Sequence, residues 1–487
     1  MTFFNKIFTM LESGTNESGK GALLTSVGEI MCVTLPSHLC TLMVILIGRL
    51  FYPVSHTCLE DTCIPNVCEV VNQRKVTVFV KEFTLIVTLL ILVTTILSGS
   101  QISVIISLVI INSLLMFRIC LRHCSTTNYI VYQIPDILKL PIHDSKRSFI
   151  TCCRSIVNIM TVISILAVDF RIFPRKFSKT EKYGMSLMDV GVGFFILCNA
   201  AVLKLENIVN QGFGQCFVGS LVLFIIGVLR CVFVKEIDYG VNVSEYGVYW
   251  NFFITLGVVR LLTFIVLYVF KTNSSLASVF VCLLHHCILT FGAEAYVLGD
   301  KPRENLIDAN REGLVSTLGY TGLYLIGVSL NKFIVQTCTY IKGDLKSIAK
   351  LLMLSLVLFA VSSYLSPYYP PCRRVVNITY ITWVLAMAAA HVAMASCVEL
   401  FVICFVLPSS VNEKFYTFLT PLIYEAVNMN GLFFFLLGNI LTGLVNIFCN
   451  TKKLNSLQSI FILFAYMFVN CCTVTIMYFR KITFRFW

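Results

Sequence analysis

Charge is scarce in this chain. Only 13% of its 487 residues are Asp, Glu, Lys or Arg, against about 25% in an ordinary soluble protein. With 57% hydrophobic residues and a mean hydropathy of +0.85, a water-soluble fold is excluded. The apolar runs also lack the strict alternation of a transmembrane β-barrel. No basic arm interleaved with aromatics occurs, so the net charge of +12 reads as membrane topology and anion contact, not nucleic-acid binding. There is no G-x-S-x-G, and no His follows a Ser or Cys in a recognisable nucleophile context. Internal repeats are absent as well. The first twenty residues lack an apolar region followed by a small-residue cleavage site, so the first span is expected to act as the insertion signal.

Cysteine is frequent at 21 copies, but most lie inside apolar runs, as do Cys152, Cys153, Cys198, Cys282, Cys471 and Cys472. There a thiol behaves as a small hydrophobe, and no disulfide framework follows. His56, Cys58, Cys63 and Cys68 form H-x-C-x4-C-x4-C, a spacing that matches none of the usual structural zinc sites. They are read as ordinary loop residues, and no metal is expected.

What the chain does have is apolar runs of about 20 residues, the length that crosses a ~30 Å hydrocarbon core. The expected fold is all-α and polytopic, with about thirteen spans near 22–50, 76–98, 102–119, 149–168, 184–204, 213–234, 248–270, 275–296, 315–335, 348–366, 377–405, 428–448 and 457–478. An odd count puts the termini on opposite faces. Arg480, Lys481 and Arg485 share a face with Arg118, Arg122, Lys139, Lys146 and Arg147, which the positive-inside tendency makes cytosolic. A short lumenal segment (1–21), with a glycan acceptor sequence at Asn16-Glu17-Ser18, a single transmembrane domain (22–478) and a basic cytosolic tail (479–487) follow.

Under this topology the densest polar segments all lie on the N-terminal face: 169–184, 235–251, 299–313 and 367–380. That asymmetry suggests one site assembled from several helix ends. In the first segment Asp169 closes a span, and Lys179 follows ten residues later, beyond Pro174. Proline favours a turn, so the chain is expected to fold back and bring the ammonium near the carboxylate. One reading is a structural ion pair, with Arg171, Arg175 and Lys176 on lipid head groups. The other is catalytic: Asp169 as general base, Lys179 stabilising charge. The remaining segments supply Asn251, Asn310, Glu312 and Asn377, with Arg303, Arg311, Arg373 and Arg374 beside them. Carboxamides suit hydroxyls and Arg suits phosphate, whereas for each Asn alone helix capping is the plainer reading. His285, His286, His391 and Arg260 lie within spans and are read first as hydrogen-bonded interhelical groups.

The motif A-V-D-F-R-I-F-P-R-K-F-S-K-T-E-K-Y-G (167–184), followed by S-L-M-D-V-G-V-G, resembles the signature of the GPI-inositol acyltransferase family. Its members are the fungal GPI-anchored wall transfer protein and the animal phosphatidylinositol-glycan class W protein. E-Y-G-V-Y-W-N-F-F (245–253), N-L-I-D-A-N-R-E-G-L-V-S-T-L-G-Y (305–320), R-R-V-V-N-I-T-Y-I-T-W (373–383) and N-M-N-G-L-F-F-F-L-L-G-N-I-L-T-G-L-V-N (428–446) add to the resemblance in order.

The resemblance implies a multi-pass endoplasmic-reticulum protein. It implies transfer of a fatty acyl chain, typically palmitoyl, from acyl-CoA to the inositol ring of glucosaminyl-phosphatidylinositol, an early step of GPI-anchor assembly. Acyl-CoA is then a co-substrate, no cofactor is bound, and membrane lipids and the glycolipid are the partners. The catalytic aspartate and lysine of the family fall on Asp169 and Lys179. Candidate substrate-binding residues are Arg171, Arg175, Lys176, Trp250 and Asn251. To these are added Arg303, Asn310, Glu312, Arg374, Asn377 and Asn439. Where the family commonly has H-W-N, this chain reads Tyr249-Trp250-Asn251, so position 249 receives no acid–base role. A transporter and a non-catalytic scaffold of GPI-anchor assembly are the alternatives.

Overall fold

A computed structural model describes residues 27–51, 67–124, 148–203, 205–236, 245–271, 273–300, 302–337, 341–405 and 419–484. Asn16, His56, Cys58, Cys63, Lys139, Lys146, Arg147 and Arg485 lie outside them. The described residues form helices joined by short connections, with no strand among them. In chain order these are α1 (Val27–Phe51), α2 (Val67–Glu82, continued through a π-turn at Phe83–Thr88 to Leu89–Thr94), α3 (Gln101–Cys124) and α4 (Ser148–Ala167). Next come α5 (Leu187–Ala200), α6 (Leu205–Glu236), α7 (Phe252–Val269), and α8 (Ser274–Ile288, continued through a π-turn at Leu289–Ala293 to Glu294–Leu298). The last are α9 (Arg311–Thr337), α10 (Ile341–Leu365), α11 (Ile378–Phe405), α12 (Leu422–Met429), α13 (Gly431–Phe448) and α14 (Ser456–Phe479).

Twelve helices among the described residues are long and apolar enough to cross a membrane, which makes this a polytopic helical membrane protein. The expected span at 184–204 is instead the 14-residue α5. At 1.5 Å per residue it covers about 21 Å, short of the hydrocarbon core. It follows an irregular stretch, 170–186, with one 3₁₀ turn at Arg175–Phe177. Phe170, Phe173 and Phe177 are buried and anchor that stretch to the core.

Burial sorts the helices into centre and rim. α4 is 78% buried and touches α5, α11, α12 and α13. α3 is only 17% buried, and exposes Ile102, Ile106, Ile110, Leu114, Phe117 and Leu121 along one face. Such an apolar stripe suits lipid, not water.

Polar groups inside the bundle find partners. Glu82 accepts from the Leu422 and Ile423 amides at the start of α12 (3.0 and 2.8 Å), and Glu399 accepts from Phe149 at the start of α4 (2.8 Å). Each satisfies amides that the first turn leaves open. His391 Nδ1 and His38 Nε2 are 2.8 Å apart, joining α11 to α1. The expected span at 428–448 is α13, preceded by the short α12. α12 and α13 meet at Asn430, whose backbone (φ −126°, ψ 42°) leaves the helical region. Asn430 donates to the Ile482 carbonyl (3.0 Å) and accepts from the Phe484 amide (2.9 Å), while the Phe484 ring stacks on Phe433.

Candidate active site at one end of the bundle

α4 ends in a turn that places Asp169 at its mouth. The Asp169 amide donates to Leu166 (3.1 Å), and its carboxylate accepts from Asn446 Nδ2 (2.8 Å) near the end of α13. From there Phe170, Phe173 and Phe177 anchor the chain in the core, with a 3₁₀ turn at Arg175–Phe177 after Pro174. The turn does form at Pro174, and the lysine beyond it finds a partner outside its own segment. Lys179 Nζ lies 2.8 Å from Glu245 Oε2. The physical reason is the next residue: Thr180 is drawn towards Asp189, carrying Lys179 to the 245–250 segment.

Asp189, in the first turn of α5, is fully buried. Its Oδ2 accepts from the Thr180 amide (3.2 Å), the Thr180 hydroxyl (2.9 Å) and the Ser186 hydroxyl (2.8 Å). Its Oδ1 accepts from Arg373 Nε (2.8 Å). Ser186 in turn caps α5 by accepting from the Asp189 amide (3.2 Å).

A second buried carboxylate, Glu312, opens α9. Arg303 reaches it with both guanidinium nitrogens (2.5 and 3.0 Å) and Arg374 with one (3.0 Å), while Arg311 Nε stands 3.9 Å away. Arg373 and Arg374 sit on one tight turn. Val376 donates to Cys372 (3.0 Å), and Asn377 accepts from the Cys372 and Tyr380 amides (3.2 and 3.1 Å) while donating to Pro370 (2.7 Å). Val376 closes it at φ +54°, a strained conformation for a β-branched residue. His285 Nε2 donates to the Val375 carbonyl (2.9 Å) and steadies the turn from α8. Gly319 on α9 allows that approach: a Cβ there would lie 2.7 Å from His285 Nε2.

The 245–251 segment docks on the start of α9. Val248 donates to Ala309 (2.9 Å), Tyr249 to Asn310 Oδ1 (2.9 Å) and Gly313 to Tyr246 (2.8 Å). Gly247 adopts φ +123°, and a Cβ would lie 2.6 Å from Asn310 Cα. Trp250 covers Gly313 and donates to Thr255 (2.9 Å). Gly184 donates to Pro371 (2.9 Å), and Arg374 to the Glu181 carbonyl (3.4 Å). Four segments distant in sequence therefore touch at one end of the bundle.

Several candidate residues have structural work. Asn251 caps α7 by accepting from Phe253 and Ile254, and it donates to the Gly227 carbonyl and Cys231 Sγ. That uses both donors and both lone pairs of the amide, so its contacts here are those of a helix cap. Asn310 and Asn377 clasp backbone. Asn439 donates to Phe435 within α13 (2.8 Å). Lys176 pairs with Glu29 (2.9 Å), Arg175 donates to Val168 (3.2 Å), and Arg171 is exposed. Tyr249 points outward at 57% exposure, so the segment uses its backbone more than its side chain.

Sequence reasoning gave no role to Asp189, Glu245 or Asn446. The first carried a signal: Ser186-x-x-Asp189 ahead of an apolar run is a capping pattern. The other two act only through distant partners.

The ion-paired groups at this end include five cations (Lys179, Arg303, Arg311, Arg373, Arg374) and three carboxylates (Asp189, Glu245, Glu312). Glu181, Glu294 and Asp308 lie at the same end and offset part of that excess. Burial alone would raise the Glu245 carboxyl, but Lys179 and Arg373 outweigh it and hold it below its usual value. Burial disfavours the Arg373 cation, yet Glu245 and Asp189 more than compensate and raise it well above the usual value.

Comparison with known proteins bears on this end of the molecule. A family model described as GWT1 matches residues 20–477. An uncharacterized protein of Arabidopsis thaliana is 35% identical over 70% of this chain and 76% of its own length. The GPI-anchored wall transfer protein 1 of Schizosaccharomyces pombe is 34% identical over 67% and 72%. The human glucosaminyl-phosphatidylinositol-acyltransferase PIGW is 29% identical over 84% and 89%.

Proposed function

The chain belongs to the GWT1 family, and from that membership we propose that it is a membrane acyltransferase of GPI-anchor biosynthesis, moving a fatty acyl chain (palmitoyl) from acyl-CoA to the inositol ring of glucosaminyl-phosphatidylinositol. The observation that carries the reading is the convergence of its four polar segments around Asp189, Glu245 and Glu312 at one end of an otherwise apolar bundle. The endoplasmic-reticulum membrane is the proposed location, with this end facing the lumen.

In the proposed reaction Asp169 takes the proton of an inositol hydroxyl. The oxygen attacks the thioester carbonyl, a C–O bond forms, the C–S bond breaks, and the CoA thiolate receives the proton. Lys179 swings from Glu245 towards the carbonyl oxygen and stabilises its developing charge. Arg303 and Arg374 share one carboxylate, Glu312, which leaves positive charge for the lipid phosphate. Asp169 and Lys179 have different partners, Asn446 and Glu245, and in the proposed reaction the substrate joins them at one reacting centre.

The test is transfer of labelled acyl groups from acyl-CoA to glucosaminyl-phosphatidylinositol by the full-length protein in membranes. Asp169→Asn keeps an acceptor for Asn446 and removes the base, so activity should fall about 10²–10⁴-fold at equal protein level. Near-full activity of that variant rejects Asp169 as base. Absence of any transfer by the wild type rejects the reading itself.

A further inference from the structure

Lys179 is held at three points. Two residues before it, Phe177 is sealed in the core. At its tip, Nζ meets Glu245 (2.8 Å). One residue after it, Thr180 gives both its amide and its hydroxyl to Asp189 Oδ2 (3.2 and 2.9 Å). A four-carbon ammonium stem is flexible, so its head has a defined place only if the backbone on each side is fixed.

Asp189 fixes more than Thr180. Its other oxygen takes Arg373 Nε (2.8 Å), and its carbonyl accepts from the Tyr380 hydroxyl (2.8 Å). Arg373 lies in the electrostatic reach of Glu245, the group that receives Lys179. The direct bonds run from Arg373 to Asp189 and from Asp189 to Thr180, the residue next to Lys179. Capping α5 asks nothing of this kind, because Ser186 alone accepts the amide of its third residue.

We propose that Asp189 is the positioning residue for Lys179, setting the ammonium through the two bonds to Thr180. The proposal rests on the assignment of Lys179 to the acyl-transfer chemistry above. Asp189 itself stays sealed from substrate and acts only through its neighbours.

The experiment compares Thr180→Val, Thr180→Ser and Asp189→Asn with the wild type in the full-length membrane protein. Thr180→Val keeps shape and the Asp189–Arg373 pair and removes one bond. Two readouts are taken: kcat and KM for acyl-CoA, and the rate at which an amine-reactive reagent modifies Lys179, followed by mass spectrometry. A misplacement of about 1 Å in a reacting group lowers rate by roughly 10²-fold. Thr180→Val should therefore lower kcat about 10- to 100-fold with KM within about twofold, and Lys179 should be modified faster. Thr180→Ser should restore both readouts, and Asp189→Asn should exceed the Thr180→Val effect. Unchanged kcat and unchanged labelling in Thr180→Val overturn the proposal, as does failure of Thr180→Ser to rescue. The labelling comparison needs no substrate, so it decides the positioning role even if the acyl-transfer reading fails.

Discussion

Arg373 and Asp189 meet through a 2.8 Å bond between Nε and Oδ1, and neither side chain is more than 3% exposed. Removing one partner of such a pair leaves an uncompensated buried charge, which costs about 3–5 kcal/mol. Arg373→Leu should therefore lower the thermal unfolding midpoint of the detergent-solubilised protein sharply. Combining it with Asp189→Asn should recover part of that loss, because the two residues are coupled. Additive losses in the double variant would refute the coupling.

Lys179 ends on Glu245, not on a residue of its own segment. Lys179→Gln keeps a donor for Glu245 but removes the cation. Turnover should drop by about 10²–10³-fold, the usual cost of losing one donor to a developing oxyanion, while KM and the unfolding midpoint move little. An equal loss in thermal stability would point to a purely structural lysine.

The Glu245 carboxyl is held below its usual value of 4.5 by Lys179 and Arg373. A group whose folded value is depressed adds stability that is present above its unfolded value and lost as pH falls through the folded one. The difference in unfolding midpoint between the wild type and Glu245→Gln should thus be flat from about pH 8 to pH 5 and shrink at lower pH. A difference that grows on acidification would contradict this assignment.

Gly247 combines φ +123° with backbone contact, since an added Cβ would lie 2.6 Å from Asn310 Cα. Gly247→Ala should destabilise by at least about 1–3 kcal/mol and detach the 245–250 segment from α9. Gly99, where a Cβ meets nothing within 4 Å, is the matched control and should tolerate Ala. Similar unfolding midpoints for the two variants would show that the segment does not depend on this close approach.

The helical bundle was legible in the sequence because each span declares itself by length and hydropathy. α5 was not read at its true length. Its flanks, Met185 and Ala201 to Leu203, are nearly as apolar as the helix, so hydropathy alone could not see Ser186 cap it. The sequence showed four polar segments that the structure brings together, and one motif drew attention to Asp169 and Lys179. Their partners were not legible. Glu245 lies 66 residues from Lys179 and Asn446 lies 277 from Asp169, and nothing local to either pair encodes the meeting. The amides illustrate the opposite case: Asn251 looked like a ligand for hydroxyls, yet both faces of its carboxamide bind backbone or a neighbouring thiol.

Asn430 takes its two backbone partners from residues 52 and 54 positions further on. A ribosome delivers those residues only after α14 has been made. During synthesis the joint between α12 and α13 must enter the membrane with its amide side chain unclasped, and it is closed only when Ile482 and Phe484 emerge. The segment after α14 thereby works as a delayed fastener for a helix pair made much earlier. A chain stopped at residue 479 would still contain every apolar helix and yet lack that closure. Its defect should show as slow, late-stage misassembly and not as failed insertion.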